Sequence, residues 1–461
     1  MSRLKKLGLV GLGLVAGIAI SLNYAAFADK ETAATPLPVQ ELRAFTEVFG
    51  QIKNNYVEPV SDKKLFTEAI NGMLNGLDPH SAYLDADAFK DLQVGTQGEF
   101  GGLGIEVGME DGLIKVISPI EDTPAYQAGV KSGDMILKLD DSLVKGMSLN
   151  DAVKRMRGKP GSKIVLTILR KGESKPLLIT VVRAVIKVQS VKSKLLESGY
   201  GFVRITQFQE HTGENLASSL DKLVKENKGP LKGLVLDLRN DPGGLLDGAV
   251  AVSAAFLAKD ALVVYTEGRT EEAKMRLTAS PEYYLRGSSK NDYIQSIPAS
   301  IKSVPLVVLV NGGSASASEI VAGALQDHKR GVIMGTQTFG KGSVQTVLPL
   351  GNNTAIKLTT ARYYTPGGRS IQAKGIVPDI MVEDPSTAAT DSLFRLRESD
   401  LAKHLINDKQ PDDKADFAPK TEMPPKAGGA NVQPTEFGSK NDYQLNQALN
   451  LLKGLQILQG K

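Results

Sequence analysis

The sequence contains no cysteine and only four histidines, so it has few ways to activate a nucleophile. Thiol catalysis is excluded, and the lack of cysteine suits a protein that need not manage oxidation outside the cytosol. His80, His211, His328 and His404 form no H-E-x-x-H arrangement, which counts against a metalloprotease, and no metal or other cofactor is expected. Phosphate-binding loops are missing as well. The glycine-rich segments lack the Gly-Lys-Ser/Thr ending, and Gly340-Lys-Gly-Ser343 carries an intervening glycine. An excess of one charge is also lacking: the formal net charge is +4, and without Arg3, Lys5 and Lys6 the balance is 52 basic against 51 acidic residues, no nucleic-acid signature. Hydrophobic residues make up 41% of the 461, enough for real cores in about two to four domains.

Against these absences stand two short segments that fit one hydrolytic site: Asn311-Gly-Gly-Ser-Ala-Ser-Ala-Ser-Glu319, and Thr338-Phe-Gly-Lys-Gly342, with Lys341 25 positions after Ser316. Serine with a neutral lysine base is one of the few activation schemes open to such a chain. Pro305 to Val310 is an apolar, β-branched run that predicts a buried strand, and Glu319 to Leu325 continues at helical spacing, so Ser316 falls where strand turns into helix. Unpaired N–H groups at a helix start carry the positive end of the macrodipole, so Ala317 N–H can stabilise an oxyanion. A second donor can come from Asp237-Leu-Arg-Asn-Asp-Pro-Gly-Gly-Leu245, between the apolar strand Gly233 to Leu238 and the apolar helix Leu245 to Phe256. Gly243 and Gly244 there allow close backbone approach, and the sequence leaves open which of the two donates.

Lysine acts as a base only when desolvation or a neighbouring positive charge lowers its pKa. No Asp or Glu lies between Asp327 and Asp379, so no carboxylate local in sequence is available to hold Lys341 charged. If Gly342 to Val347 is a strand, Lys341 and Gln345 share a face, and the amide of Gln345 can orient the amine. Taken singly, the Gly/Ser/Ala stretch reads as a loop and the lysine as a solvated charge. Together, with a third glycine-rich strand-to-helix turn upstream, they point to catalysis.

The amino terminus reads as an export signal: basic Arg3, Lys5 and Lys6, apolar Leu7 to Ile20, and an Ala26-Phe-Ala28 site with cleavage before Asp29. Leu22 to Phe27 can extend the apolar stretch, so an uncleaved membrane anchor is the alternative. Leu42, Phe45, Val48, Phe49, Ile52 and Tyr56 lie at helical spacing, and Leu65 to Leu77 repeats the pattern, giving an amino-terminal helical unit. Core packing is the expected use of that face, with dimerisation as the alternative. His80, after Asp78-Pro79, reads as a structural turn residue. Asp408 to Lys440 reads as a flexible linker, and Tyr443 to Leu458 as an amphipathic helix through Leu445, Ala448, Leu449, Leu452 and Leu455. A tethered helix must bury that face on its own body or on another chain, and oligomerisation is the expectation.

Several motifs carry a resemblance over about residues 39–383: Gly76-Leu-Asp-Pro-His-Ser81, Phe100-Gly-Gly-Leu-Gly-Ile105, Thr123-Pro-Ala125 with Ala128-Gly129 and Gly133-Asp134, Asp237 to Gly244, Ser314 to Glu319, Phe339 to Gly342, and Leu358-Thr-Thr-Ala-Arg-Tyr-Tyr-Thr-Pro366. On them the chain resembles the carboxy-terminal processing (tail-specific) proteases, PDZ-containing Ser/Lys endopeptidases. The resemblance implies Ser316 as nucleophile, Lys341 as general base, Gln345 as supporting amide, and Ala317 with Gly243 or Gly244 as oxyanion donors. It also implies an α+β and α/β multidomain fold: a signal peptide at 1–28, helical region at 39–95, PDZ domain at 96–184, crotonase-like αβ catalytic domain with a β-rich cap at 185–384, and linker plus helix at 385–461.

A PDZ domain adds a peptide strand to its sheet edge while backbone N–H groups capture the terminal carboxylate, which assigns Leu103, Gly104 and Ile105 to substrate carboxy termini. Because PDZ domains in this family gate the protease, Arg157 is the candidate for a regulatory contact with the catalytic domain. The implied partners are exported proteins with exposed carboxy termini, a second copy through the terminal helices, and an activating protein. The expected location is the periplasm. Two other classes remain: a PDZ-bearing binding or chaperone protein with a vestigial protease core, and a crotonase-like acyl-CoA enzyme.

Overall fold

The computed structural model describes residues 37–110, 112–120, 123–173, 175–187, 189–286, 291–383, 397–409 and 437–458. The expected signal peptide and most of the expected linker lie outside these residues. The chain divides into two compact units, 1–70 and 71–461.

In the first unit, helix α1 (Val39–Asn55) and the start of α2 (Asp62–Asn75) meet through Phe49 and Phe66, whose ring centroids are 4.9 Å apart. Core packing is not what the face of α1 does. No residue of α1 is buried, and Leu42, Phe45, Val48 and Ile52 are all exposed.

The second unit continues with β1 (Ala82–Leu84), α3 (Ala86–Gln97) and β2 (Glu99–Gly102). There follows a small sheet domain of β3 (Ile105–Glu110), β4 (Leu113–Pro119), β5 (Met135–Leu139), β6 (Ser142–Leu143), α4 (Leu149–Met156), β7 (Lys163–Leu169) and β8 (Leu177–Val182), strand order β3-β4-β5-β7-β8 with β6 beside β5. Its core gathers Leu103, Ile114, Val116, Ile136, Leu166 and Ile168 with Ala152 and Met156 of α4. Strand β9 (Ala184–Lys187) pairs back with β2.

The larger domain is a layered α/β structure. Its elements are β10 (Val191–Glu197), β11 (Tyr200–Ile205), α5 (Thr212–Glu226), β12 (Gly233–Asp237), α6 (Leu246–Phe256), β13 (Leu262–Gly268), β14 (Arg276–Thr278), β15 (Leu306–Val310), α7 (Ala317–Asp327), β16 (Val332–Gly335), β17 (Ser343–Pro349), β18 (Ala355–Tyr364), β19 (Ile380–Met381) and α8 (Tyr443–Leu458). The main sheet runs β10-β11-β12-β15-β16-β19 and is parallel from β11 onward. Strands β12 and β15 are buried at every residue, the continuous apolar run that a parallel strand covered on both faces requires.

Alternation sorts those side chains. Leu234, Leu236, Val308 and Val310 face the core shared with α5, α6 and α7, while Val235, Val307 and Leu309 face the opposite way, where Leu445, Ala448 and Leu452 of α8 cover them. The terminal helix therefore spends its apolar face on its own sheet, which corrects the expectation that it pairs with another chain. Arg239 latches it down: its guanidinium donates to Asp442 (2.6 and 3.0 Å) and Gln444 (2.9 Å) as well as to Asp237 (2.8 Å twice).

A second sheet, β1-β18-β13-β14 with β17 on β18, is antiparallel. Through β1 it ties the turn Asp78 to Ser81 to Thr359: Thr359 N–H donates to Ser81 Oγ (3.1 Å) and Thr359 Oγ1 to Asp78 Oδ1 (3.0 Å).

Candidate active site

Strand β15 ends at Val310, and within six residues the chain has turned into α7. Ser316 sits at that corner with φ 55° and ψ −112°, a conformation a non-glycine residue adopts at a cost of about 1–3 kcal/mol and keeps only where its surroundings over-determine it. They do. Ser314 Oγ donates to Leu238 O (2.7 Å), Ala315 N–H to Asp241 O (3.0 Å) and Ser318 Oγ to the same Asp241 carbonyl (2.9 Å). Asn240 and Asn311 exchange two further bonds of 2.9 Å each. The Ser316 turn and the loop after β12 are thus stitched into one body.

Within that body Gly243 lies directly against the serine corner. A Cβ built on it would stand 2.6 Å from Ala315 O and 2.8 Å from both Ala317 N and Ser316 Cβ, and its φ is +95°. The N–H of Gly243 donates to Asp241 Oδ1 (2.9 Å), whereas those of Gly244 and Ala317 meet no acceptor among the described residues.

Glu319 joins this corner to the lysine segment. The fully buried carboxylate accepts Thr338 Oγ1–H (2.6 Å) and Gly340 N–H (2.7 Å) on Oε1, and Ser316 N–H and Lys341 N–H (both 2.9 Å) on Oε2. The backbone amides of Ser316 and Lys341 therefore stand within two hydrogen-bond lengths of each other. Burial pushes this carboxyl up to about 7, against four donors that favour the charged form. Sequence reasoning did not single out Glu319, although Ser316-x-x-Glu319 has the spacing of a capping box, which would have been the signal.

Lys341 Nζ makes no hydrogen bond or ion pair among the described residues, and the amine is held below the ordinary lysine value by burial first and by the Lys357 charge second. Three carboxyls oppose that shift: Glu398, Glu319 and Asp78. The expectation of no neighbouring carboxylate is thereby corrected, since folding brings in acids that are remote in sequence. Glu398 is itself paired with His80 (2.8 Å) and with Gln372 Nε2 (3.0 Å), while Gln372 Oε1 takes Gly342 N–H (3.0 Å). The buried Tyr363 hydroxyl donates to Lys341 O. It too went unnoticed in sequence, where nothing but its place in Leu358 to Pro366 marked it.

Gln345 does not touch the amine. Its Nε2 donates to Ser343 Oγ (3.0 Å) and Thr359 Oγ1 (3.3 Å), because a bulge between Val344 and Gln345 breaks the two-residue alternation on which the shared-face expectation rested.

In the small sheet domain, Leu103 packs into the core, and its carbonyl and that of Gly104 are taken by Ala125 N–H (2.9 Å) and Ile120 N–H (2.9 Å). The N–H groups of Leu103 and Gly104 meet no acceptor among the described residues, and Ile105 opens β3. Gly104, at φ +78°, could carry no Cβ, since Thr123 Cβ would lie 2.2 Å away. Arg157 does not reach residues 185–384 as expected. It leaves α4 in an extended conformation, with its guanidinium 4.8 Å above the Phe100 ring and 3.2 Å from Asp91 Oδ1 of α3.

Three family models match: the PDZ domain over residues 101–181, peptidase family S41 over 199–382, and the activating protease CtpB N-terminal domain over 20–88. The chain is 47% identical over 443 residues to a carboxy-terminal-processing protease of Bartonella bacilliformis, covering 95% of each. It is 35% identical to the carboxy-terminal processing protease CtpB of Bacillus subtilis, covering 80% of this chain and 75% of that one. Among solved structures it is similar to a photosystem II D1 C-terminal processing protease, at 29% identity and a TM-score of 0.41 over 76% of this chain and 94% of the other. The chain belongs to the carboxy-terminal processing proteases of peptidase family S41, a serine-type family, and carries a PDZ domain.

Proposed function

We propose that the chain is an endopeptidase that trims or degrades exported proteins recognised by their carboxy termini, with Ser316 and Lys341 as its dyad. The observation that carries this reading is the shared Glu319 oxygen, which ties both backbones together beside an amine that burial favours in its neutral form. Neutral Lys341 takes the hydroxyl proton as Ser316 Oγ attacks the scissile carbonyl; the proton passes to the leaving amine, and water hydrolyses the acyl-enzyme by the reverse transfer. The oxyanion sits on Ala317 N–H and Gly244 N–H, since Gly243 N–H is committed to Asp241. Gln345 supports the base through Ser343 and Thr359 rather than by direct contact.

The N–H groups of Leu103, Gly104 and Ile105 receive the substrate carboxylate, and its last residues add a strand along β3. On this reading 1–28 is an export signal for the periplasm, cleaved or kept as an anchor, and among the described residues no helix is long and apolar enough to cross a membrane. The exposed face of α1 supports pairing with a second copy or an activating partner. The domain boundaries follow the division at 39–95, 96–184, 185–384 and 385–461.

Casein and a peptide with an apolar carboxy terminus test the proposal. Cleavage abolished by Ser316→Ala and by Lys341→Ala is expected. Peptide binding without cleavage by the wild type would indicate a binding protein instead, and thioester turnover an acyl-CoA enzyme.

A further inference from the structure

Beneath the serine corner lies one ionisable group that the dyad does not use. Asp241 is fully buried and holds three pieces of the site at once: its carbonyl takes Ala315 N–H and Ser318 Oγ–H, and its Oδ1 takes Gly243 N–H. Its other carboxyl oxygen, Oδ2, is buried with no hydrogen-bond partner. A carboxylate would leave that oxygen charged and undonated, a state that burial penalises heavily.

The ion pairs beside it do not include Asp241. Asp237, at the end of β12, and Asp442, just before α8, are bridged by Arg239. Arg204 of β11, whose Nε is buried without a partner, adds its charge to the field at both Asp241 and Asp442. Arg239 is thus shared between two other carboxylates, and no guanidinium is hydrogen-bonded to Asp241 among the described residues.

We infer that Asp241 is a positioning residue for the reaction and works as an uncharged acid, fixing the Gly243–Gly244 loop through one oxygen while keeping negative charge away from the oxyanion seat. Its loss of a proton to solvent would place an unpaired negative charge next to Gly243, on the loop that abuts Ala317 N–H, where the tetrahedral intermediate must hold its own. The surroundings support the neutral form: burial, with Asp237 adding to it, outweighs the Gly243, Ser318 and Arg204 contributions and pushes this carboxyl up to about 8.

This inference rests on the reading of Ser316 as nucleophile, and a pH–rate profile separates the two. With the full chain and the apolar-ended peptide, kcat/KM of the wild type should fall on the alkaline side as Asp241 ionises above about 8. Asp241→Asn keeps an acceptor for Gly243 and cannot ionise. It is expected to lose less than about tenfold at neutral pH and to lose the alkaline fall entirely. A wild-type profile that stays level up to about pH 9.5 overturns the inference with no variant needed. So does an Asp241→Asn enzyme, folded by circular dichroism, whose alkaline limb persists or whose neutral rate drops more than about a hundredfold. Should Ser316→Ala abolish cleavage while Asp241→Asn keeps its alkaline limb, only the role of Asp241 fails; cleavage by Ser316→Ala sinks the dyad.

Discussion

Replacing Gly243 with alanine puts the fit between the two site loops under direct test. The new Cβ would meet Ala315 O at 2.6 Å and Ala317 N and Ser316 Cβ at 2.8 Å, all on backbone or on the Cβ of Ser316, where ordinary contact begins at 3.4 Å. None of these atoms is the far end of a flexible side chain, so one loop must retreat by most of the shortfall. The backbone at φ +95° adds strain of about 1–3 kcal/mol for any residue with a Cβ. Retreat moves Gly244 N–H, the proposed second oxyanion donor, away from Ala317 N–H, and loss of one such donor costs about a hundredfold to a thousandfold in kcat.

The expected outcome is a fall in kcat of about a hundredfold or more with KM changed less than about threefold, because the PDZ residues proposed to hold the substrate end are untouched. Urea unfolding should register a loss of about 2–4 kcal/mol. Gly248→Ala is the control: its Cβ would find Phe208 Cβ at 3.5 Å within α6, an ordinary contact, and stability should hold or rise by about 0.5–1 kcal/mol. Wild-type kcat in Gly243→Ala would refute the placement of the donor loop against Ser316.

Two further substitutions probe the supports around the dyad. Tyr363→Phe removes the hydroxyl that donates to Lys341 O and should cost about 1–3 kcal/mol in urea unfolding, with kcat falling more than KM changes; a variant indistinguishable from wild type in both would remove Tyr363 from the base's support. Arg239→Ala strips the shared cation from Asp237 and Asp442, leaving buried carboxylates unpaired at a cost of about 3–5 kcal/mol, and should free α8 to early cutting in limited proteolysis. Unchanged protection of α8 would show that Leu445, Ala448 and Leu452 hold the helix without the latch.

Much of the fold was legible because the chain states it plainly. Apolar runs at Leu234 to Leu236 and Leu306 to Val310 declare buried parallel strands, and the change to helical spacing after Ser316 declares the corner. The docking of α8 was legible too, had the uniform apolarity of β12 and β15 been read to its end: strands apolar on both faces need a cover on each, and α5 to α7 supply only one. What sequence spacing hid was tertiary. Asp78 and Glu398 reach the field of Lys341 from more than fifty positions away on either side, Glu319 does so across the capping turn, and the bulge at Val344 turns Gln345 toward Thr359. The exposure of α1 had no sequence signal, since its apolar stripe reads the same whether it packs inward or outward.

The central claim is that Lys341 is neutral at working pH and takes the proton of Ser316. Its most direct test is the pH dependence of Ser316 acylation in single-turnover experiments with the apolar-ended peptide. A rate that rises with pH as the Lys341 amine, held below the ordinary lysine value of 10.5, loses its proton, and that Lys341→Ala abolishes, is the expected result. Acylation that is level from mildly acidic to mildly alkaline buffer, or that survives Lys341→Ala, would contradict it.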